Sequence, residues 1–233
     1  MFQFRRSSAS EQTGDAFVAA FGADTDTSAA SSDWADGNTH KVFGASSPRY
    51  STFLGTEARA SYDNGLWRLL LPGGSPELSE FNGPTGWTSD WPEMVGLTAF
   101  GYDWLGRLYV VDRAGAWTKQ GAVVRFSPAT GDVEEATAKP SSLDEYLFEL
   151  LPRHKRDWLS ADYFDDWREG RGRPLKTTEC VGYTVPLLLG GVDDVPNLEI
   201  IDLMVHLSAS GQIFRQAMDL DDDTTINRVK FET

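Results

Sequence analysis

The sequence predicts an α+β fold, in which an antiparallel β-sheet carries helices that lie mainly in the C-terminal half. Short runs of β-branched and aromatic residues, separated by turn residues, occupy the region from 66 to 136. After residue 142 the apolar positions instead follow a helical period. Strands followed by helices are typical of the α+β class. With 233 residues and 40% hydrophobic positions, the chain can bury a core without a disulfide.

Residues 1–45 are predicted to be a flexible N-terminal appendage. Between residues 24 and 38 the chain is dominated by Asp, Thr, Ser, Ala and Gly, and Trp34 is the only large side chain. This composition buries too little apolar surface to offset the entropy lost on ordering. A short helix within residues 11–21 is the alternative for that part of the appendage. We expect the folded domain to span 46–223 and a tail to follow at 224–233.

Five segments are predicted to form strands of an antiparallel meander. They are separated by turn signals such as Gly-Gly, Leu-Gly and Thr-Gly-Asp, which favour tight connections. The segments are 66–71, 97–102, 107–112, 122–127 and 133–136.

Three helices are predicted in the second half. Ser142 and Glu145 fit a capping box that opens a helix bounded by Pro152. A second helix is expected at 160–169, because an aromatic stripe shares one face there and a glycine follows. Asn197 is expected to cap a long helix from 198 to about 217.

The net charge of the chain indicates which kind of partner it can bind. The net charge is −14, so the surface repels nucleic acid and anionic lipid and attracts a basic protein. Acidity that serves solubility alone is the alternative. One cysteine, no apolar signal-peptide region after Arg6 and no apolar run long enough to span a bilayer lead us to expect a cytoplasmic protein.

No catalytic or cofactor constellation stands out in the sequence, so we expect a non-enzymatic protein without cofactor or metal. His40, His154 and His206 lie in separate segments and lack metal-ligand spacing. A Cys180–His206 nucleophilic pair stays open as the enzymatic alternative. The acidic run 219–223 lacks the pattern of a calcium loop and is interpreted as a solvated segment.

Two loops are the predicted partner-binding sites. Trp87, Asp90, Trp91 and Glu93 combine aromatic anchors with acidity in a Gly/Pro-rich loop, although core tryptophans are the stronger interpretation. Asp193 and Asp194 follow a Leu-Gly-Gly sequence and add a second acidic contact.

Four segments together resemble one known family. They read YDNGLW at 62–67, FGYDWLG at 100–106, GYTVPLLLGG at 182–191 and NLEIIDLMVHL at 197–207. In this order and spacing they resemble the GAD-like and type VI secretion immunity proteins, over about residues 48–218. That family is related to the SUKH immunity superfamily and has no known catalytic residues.

The resemblance implies both a fold and a role. The fold is a SUKH-like antiparallel sheet with helices packed on it. The role is to bind and neutralise a co-encoded toxin, often a nuclease, inside the producing bacterial cell. A regulatory or scaffolding module of the same fold, without a toxin partner, is the alternative function.

Overall fold

The computed structural model describes residues 15–25, 36–171 and 173–218. Six strands form one antiparallel sheet in chain order, and two further strands form a separate antiparallel hairpin. The first sheet contains β1 Ser61–Tyr62, β2 Trp67–Leu69, β3 Leu97–Asp103, β4 Leu108–Asp112, β5 Val123–Ser127 and β6 Asp132–Glu135. The hairpin contains β7 Glu179–Tyr183 and β8 Leu198–Asp202.

Eight α-helices surround these strands in the described part of the chain. Four precede β3: α1 Asp15–Ala20, α2 Asp36–Phe43, α3 Pro48–Thr56 and α4 Leu78–Phe81. Four follow β6: α5 Leu143–Glu145, α6 Leu151–Trp158, α7 Ala161–Arg168 and α8 Leu203–Met218. The predicted α+β class and the antiparallel meander are confirmed. None of the described helices combines the length and apolar character needed to cross a bilayer.

The predicted capping box is confirmed, but Pro152 does not end the helix. The Ser142 hydroxyl accepts a hydrogen bond from the Glu145 amide at 3.3 Å. A π-turn at Tyr146–Leu150 then leads directly into α6, with the Leu151 amide bonded to the Tyr146 carbonyl. Pro152 lies in the first turn of α6, where a missing amide hydrogen is tolerated.

The predicted helix from 198 is wrong over its first five residues. Leu198–Asp202 pairs with β7 as a strand, with Leu198 opposite Tyr183 and Asp202 opposite Glu179. Asp202, rather than Asn197, caps α8, because its carboxylate accepts the Met204 amide at 2.9 Å. The apolar spacing of this segment fits both a helix and a strand, and pairing with β7 selects the strand.

The described parts of the predicted appendage are packed on the core. Phe17 and Phe21 of α1 are stacked at 4.5 Å, and Phe17 also meets Tyr62 edge-on at 5.0 Å. Phe43 at the end of α2 is fully buried. The prediction of a flexible segment is therefore wrong for residues 15–25 and 36–45, because three phenylalanines supply the burial that the intervening composition lacks. Residues 1–14, 26–35 and 219–233 lie outside the described residues, and with them the acidic run 219–223.

The hairpin is hydrogen-bonded to the end of β3, and α8 packs closely against the loop at 87–94. The Val181 amide donates to the Trp104 carbonyl at 2.7 Å, which joins β7 to the end of β3. On α8, a side chain at Gly211 would lie 2.5 Å from the Asp90 carbonyl oxygen. The lack of a side chain there allows the loop at 87–94 to lie against the helix.

We expect Phe17→Ala to lower the free energy of unfolding by about 3–5 kcal/mol, because it removes a fully buried ring. Urea denaturation measures the loss. Val18→Ala is the matched control, since Val18 is 47% exposed and its truncation should cost at most about 0.5 kcal/mol. Equal effects of the two changes would mean that α1 contributes nothing to the core.

Candidate functional site

The loop between β7 and β8 presents an unusual surface. We name residues 184–195 the LGG surface, after the sequence at 189–191. Val185 is 49% exposed and Val192 is 65% exposed, while Pro186 and the three leucines at 187–189 are half-buried. Asp193 and Asp194 follow directly and are exposed. Apolar side chains therefore lie beside two carboxylates on one loop.

Asn197 holds this loop in shape. Its side-chain oxygen accepts the Val185 amide at 2.8 Å. Its side-chain nitrogen donates to the carbonyls of Val185 and Val192, at 2.9 and 2.8 Å. One buried amide thus ties both ends of the loop together, which fixes the positions of the exposed valines.

The two glycines are needed for the turn. Gly190 has a φ of 85°, the left-handed conformation that ends the short helical turn at Leu187–Leu189. A side chain at Gly191 would lie 1.9 Å from the Val185 carbonyl oxygen. The Leu-Gly-Gly sequence is therefore explained by backbone geometry.

Asp193 and Asp194 differ in their local bonds. Tyr183 donates its hydroxyl to Asp193 at 2.8 Å, and Tyr163 of α7 does so at 3.4 Å. Burial and the Asp193 charge raise the pKa of Tyr163 to about 12, so this phenol stays protonated as a donor. Asp194 accepts the Val195 amide at 2.7 Å. Both carboxylates keep acceptor sites for a partner, because each oxygen has two lone pairs.

The chain segment that contains this loop carries carboxylates but no cationic side chains, although Glu179 at its start is paired with Arg173 at 2.7 Å. No Lys or Arg occurs from 177 to 214, whereas Glu179, Asp193, Asp194, Glu199 and Asp202 fall in that stretch. The last four of these side chains are exposed. A partner that approaches the LGG surface therefore meets a negative potential.

The other predicted site residues are not part of this surface. Trp87 and Trp91 are fully buried, so the prediction that they are exposed anchors is wrong and the core interpretation is right. The Trp91 indole donates to the Leu207 carbonyl at 3.0 Å and meets Phe126 edge-on at 4.8 Å. These partners come from distant parts of the chain, so the composition of the loop alone does not predict that its tryptophans are buried.

The two acidic residues of the same loop lie near the surface. Asp90 is half-buried, and its carboxylate accepts the Ser208 hydroxyl of α8 at 3.2 Å. Glu93 is exposed in a helical turn at Pro92–Met94. Among the described residues, no hydrogen bond or ion pair joins either residue to Asp193 or Asp194, so the structure does not bring the six predicted residues together.

A small cavity lies beneath the LGG surface. It has a volume of about 60 Å³, and Leu187, Leu188, His206 and Ala209 contribute to its lining. Val205, 56% exposed, stands one helical turn from Ala209. The sequence interpretation missed Val185, Val192 and Val205; the only signal was an apolar run interrupted by proline and two glycines.

The Cys180–His206 pair is present but buried. A side chain at Gly106 would lie 2.9 Å from the His206 ring and 3.0 Å from the Cys180 sulfur, so the two groups are neighbours. Burial raises the pKa of the Cys180 thiol and lowers the pKa of His206 to about 4. Both side chains are therefore neutral at pH 7, which is unsuited to a thiolate nucleophile. No group of three potential metal ligands occurs among residues 15–25, 36–171 and 173–218.

His206 also has an unsatisfied ring nitrogen. Its Nε2 atom is buried and has no hydrogen-bond partner among the residues described. Since its folded-state pKa lies below the ordinary 6.5, the unfolded chain takes up a proton that the folded chain excludes between pH 6.5 and 4. The stability that neutral His206 confers is complete above about pH 6.5 and is lost as the pH falls.

We therefore expect the free energy of unfolding to fall by about 2 kcal/mol more between pH 7 and pH 5 in the wild type than in His206→Gln. Urea denaturation at the two pH values measures this difference. His154→Gln, which alters an exposed histidine, should keep the wild-type pH dependence. A drop in His206→Gln as large as in the wild type would assign the pH dependence to other groups.

Comparisons with known proteins agree with the fold and bear on the function. The crystal structure of Atu4351 from Agrobacterium tumefaciens is similar, with a TM-score of 0.58 and 13% sequence identity over 85% of this chain and 88% of that chain. At this identity the likeness concerns the fold. No curated protein matches the chain.

One family model matches part of the chain. Residues 143–214 match the model of the T6SS immunity protein Tdi1, C-terminal. The matched segment begins at α5 and includes the hairpin, the LGG surface and most of α8. This match supports a relationship with type VI secretion immunity proteins.

Proposed function

We propose that this chain is an immunity protein that binds and neutralises a co-encoded protein toxin through its LGG surface. The observation that carries the proposal is the position of this surface within the segment that matches the Tdi1 family model. The proposal places the protein in the cytoplasm of the producing bacterium, without catalysis. A SUKH relationship is part of it and rests on the sequence resemblance alone.

The apolar part of the LGG surface supports a protein partner. The centre of an interface is typically apolar and becomes fully desolvated, while the rim is polar. Val185 and Val192 stand out from a loop whose backbone is held by Asn197, so they can be buried by a partner at little cost in loop ordering. The half-buried leucines beside them extend the same apolar area.

The acidic part favours a basic partner. Asp193 and Asp194 border the apolar residues, and the surrounding stretch from 177 to 214 has no Lys or Arg. A nuclease toxin needs positive charge to bind phosphates, so it presents the complementary surface. Such complementarity accelerates association and selects the partner, while the apolar contacts supply most of the affinity.

We expect Val192→Asp to weaken toxin binding by at least about 30-fold, because it places a charge in the apolar centre of the contact. Binding is measured by calorimetry with the toxin encoded beside this gene, and protection by co-expression of the two in a sensitive host. Val95→Asp is the matched control, since Val95 is 70% exposed and lies outside the LGG surface.

The reverse result, with binding lost only in Val95→Asp, would move the contact to the loop that contains Asp90 and Glu93. A neighbouring product that is neither toxic nor bound would favour the regulatory or scaffolding alternative.

The electrostatic part of the proposal has its own test. We expect the double change Asp193→Asn and Asp194→Asn to lower the association rate by about tenfold at low salt and to reduce its salt dependence. Each asparagine keeps an oxygen that can accept the local hydrogen bonds. Stopped-flow association measured between roughly 20 and 500 mM NaCl checks this, because the Debye length falls from about 20 Å to about 4 Å over that range. An unchanged salt slope would contradict an acidic contact at this loop.

A further inference from the structure

A pocket of opposite character lies in the N-terminal half of the protein. It has a volume of about 420 Å³ and is formed by α2, α4 and the ends of β3 and β4. Its polar lining residues are Asn38, Lys41, Ser79, Asn82, Thr98 and Arg113. Two of these are cations, and none of the described lining residues is a carboxylate. Both cations are exposed at the mouth of the pocket.

No carboxylate of the described residues neutralises the two cations. Among the described residues, neither Lys41 nor Arg113 forms an ion pair. The nearest carboxylate in sequence is Asp112, and it faces the following loop. It accepts four backbone amides there, including Gly115 at 2.7 Å and Trp117 at 2.8 Å. The positive charge of Arg113 therefore remains available to the pocket.

The framework of the pocket is rigid. The Arg113 amide donates to the Gly96 carbonyl at 2.9 Å, and the Arg113 carbonyl accepts the Gln120 side chain at 2.9 Å. Asn82 joins α4 to β3, because its side chain donates to the Ala99 carbonyl at 2.9 Å and accepts the Ala99 amide at 2.7 Å. These bonds fix the backbone that carries Arg113 and the position of α4 beside β3.

Thr98 contributes a hydroxyl to the polar lining of the pocket. It lies on β3, lines the pocket and is only 4% exposed. Its hydroxyl has no hydrogen-bond partner within the described part of the chain.

We infer that this pocket binds a small organic anion through a phosphate or carboxylate group. Arg113 and Lys41 neutralise the charge, and the hydroxyls of Thr98 and Ser79 donate to the remaining oxygens. The volume exceeds that of a bare phosphate and falls in the usual range of ligand pockets, so it also holds the organic part of the molecule. This site is separate from the toxin-binding proposal and does not depend on it.

The test uses the full chain and two simple probes. Isothermal titration with inorganic phosphate and with malonate, at an ionic strength held constant with NaCl, measures both dissociation constants. We expect one of the two anions to bind with a millimolar or lower dissociation constant. Tighter phosphate binding assigns a phosphate ligand, and tighter malonate binding assigns a carboxylate ligand.

The variants locate the binding. We expect Arg113→Gln and Lys41→Gln each to raise the dissociation constant by at least about tenfold, because each removes a charged contact. Arg153→Gln is the matched control: Arg153 is exposed on α6 and has no ion pair within the described residues, and its loss should change binding by less than about twofold. Thr98→Val, which keeps the shape of the side chain, should weaken binding by about three- to tenfold.

Two outcomes overturn the inference. One is the absence of measurable binding of either anion to the wild type. The other is an equal loss in Arg153→Gln and Arg113→Gln, which would mean that the anion responds only to net charge.

Discussion

A buried guanidinium joins the two sheets, and the position of the candidate interface depends on it. Arg68 of β2 is fully buried, donates to the carbonyls of Gly65 and Glu179, and lies 5.0 Å from the centre of the Tyr102 ring. Within the described residues no carboxylate pairs with it. A buried charge without these partners would cost several kcal/mol. Since Glu179 begins β7, the guanidinium keeps its partners only when the hairpin is docked, and the docked hairpin carries the LGG surface.

The sequence predicts the meander well because its signals are local. Each strand from β2 to β6 is bounded by turn residues that act within a few positions, and the Ser142 cap bonds to a residue only three positions away. The prediction of a helix at 198–202 is wrong because pairing with another segment determines the structure there. The apolar spacing of these residues suits a helix, but β7 offers a complete set of backbone partners. Propensity is a weak prior when such tertiary pairing is available.

The candidate site is predictable only in part, for a related reason. Asp193 and Asp194 are exposed as charge and loop position suggest. Whether Trp87 and Trp91 are buried depends on α8, which lies more than a hundred residues later in the chain. The Leu207 carbonyl of α8 accepts a hydrogen bond from the Trp91 indole. Val192 directly follows the tight turn at 190–191 and is 65% exposed. Whether an aromatic or a valine is exposed is decided by what covers it, and a sequence pattern records this poorly.

The opposite characters of the two surfaces are physically compatible. Net charge governs long-range approach, so a basic protein is steered towards the acidic stretch that contains the LGG surface. At physiological salt the Debye length is about 8 Å, and beyond that distance the many carboxylates contribute little to a local site. An anion inside the pocket of Lys41 and Arg113 therefore responds mainly to the groups that line it. Because these residues come from the first half of the chain and the LGG surface comes from the second, substitutions can alter one surface without removing any residue of the other.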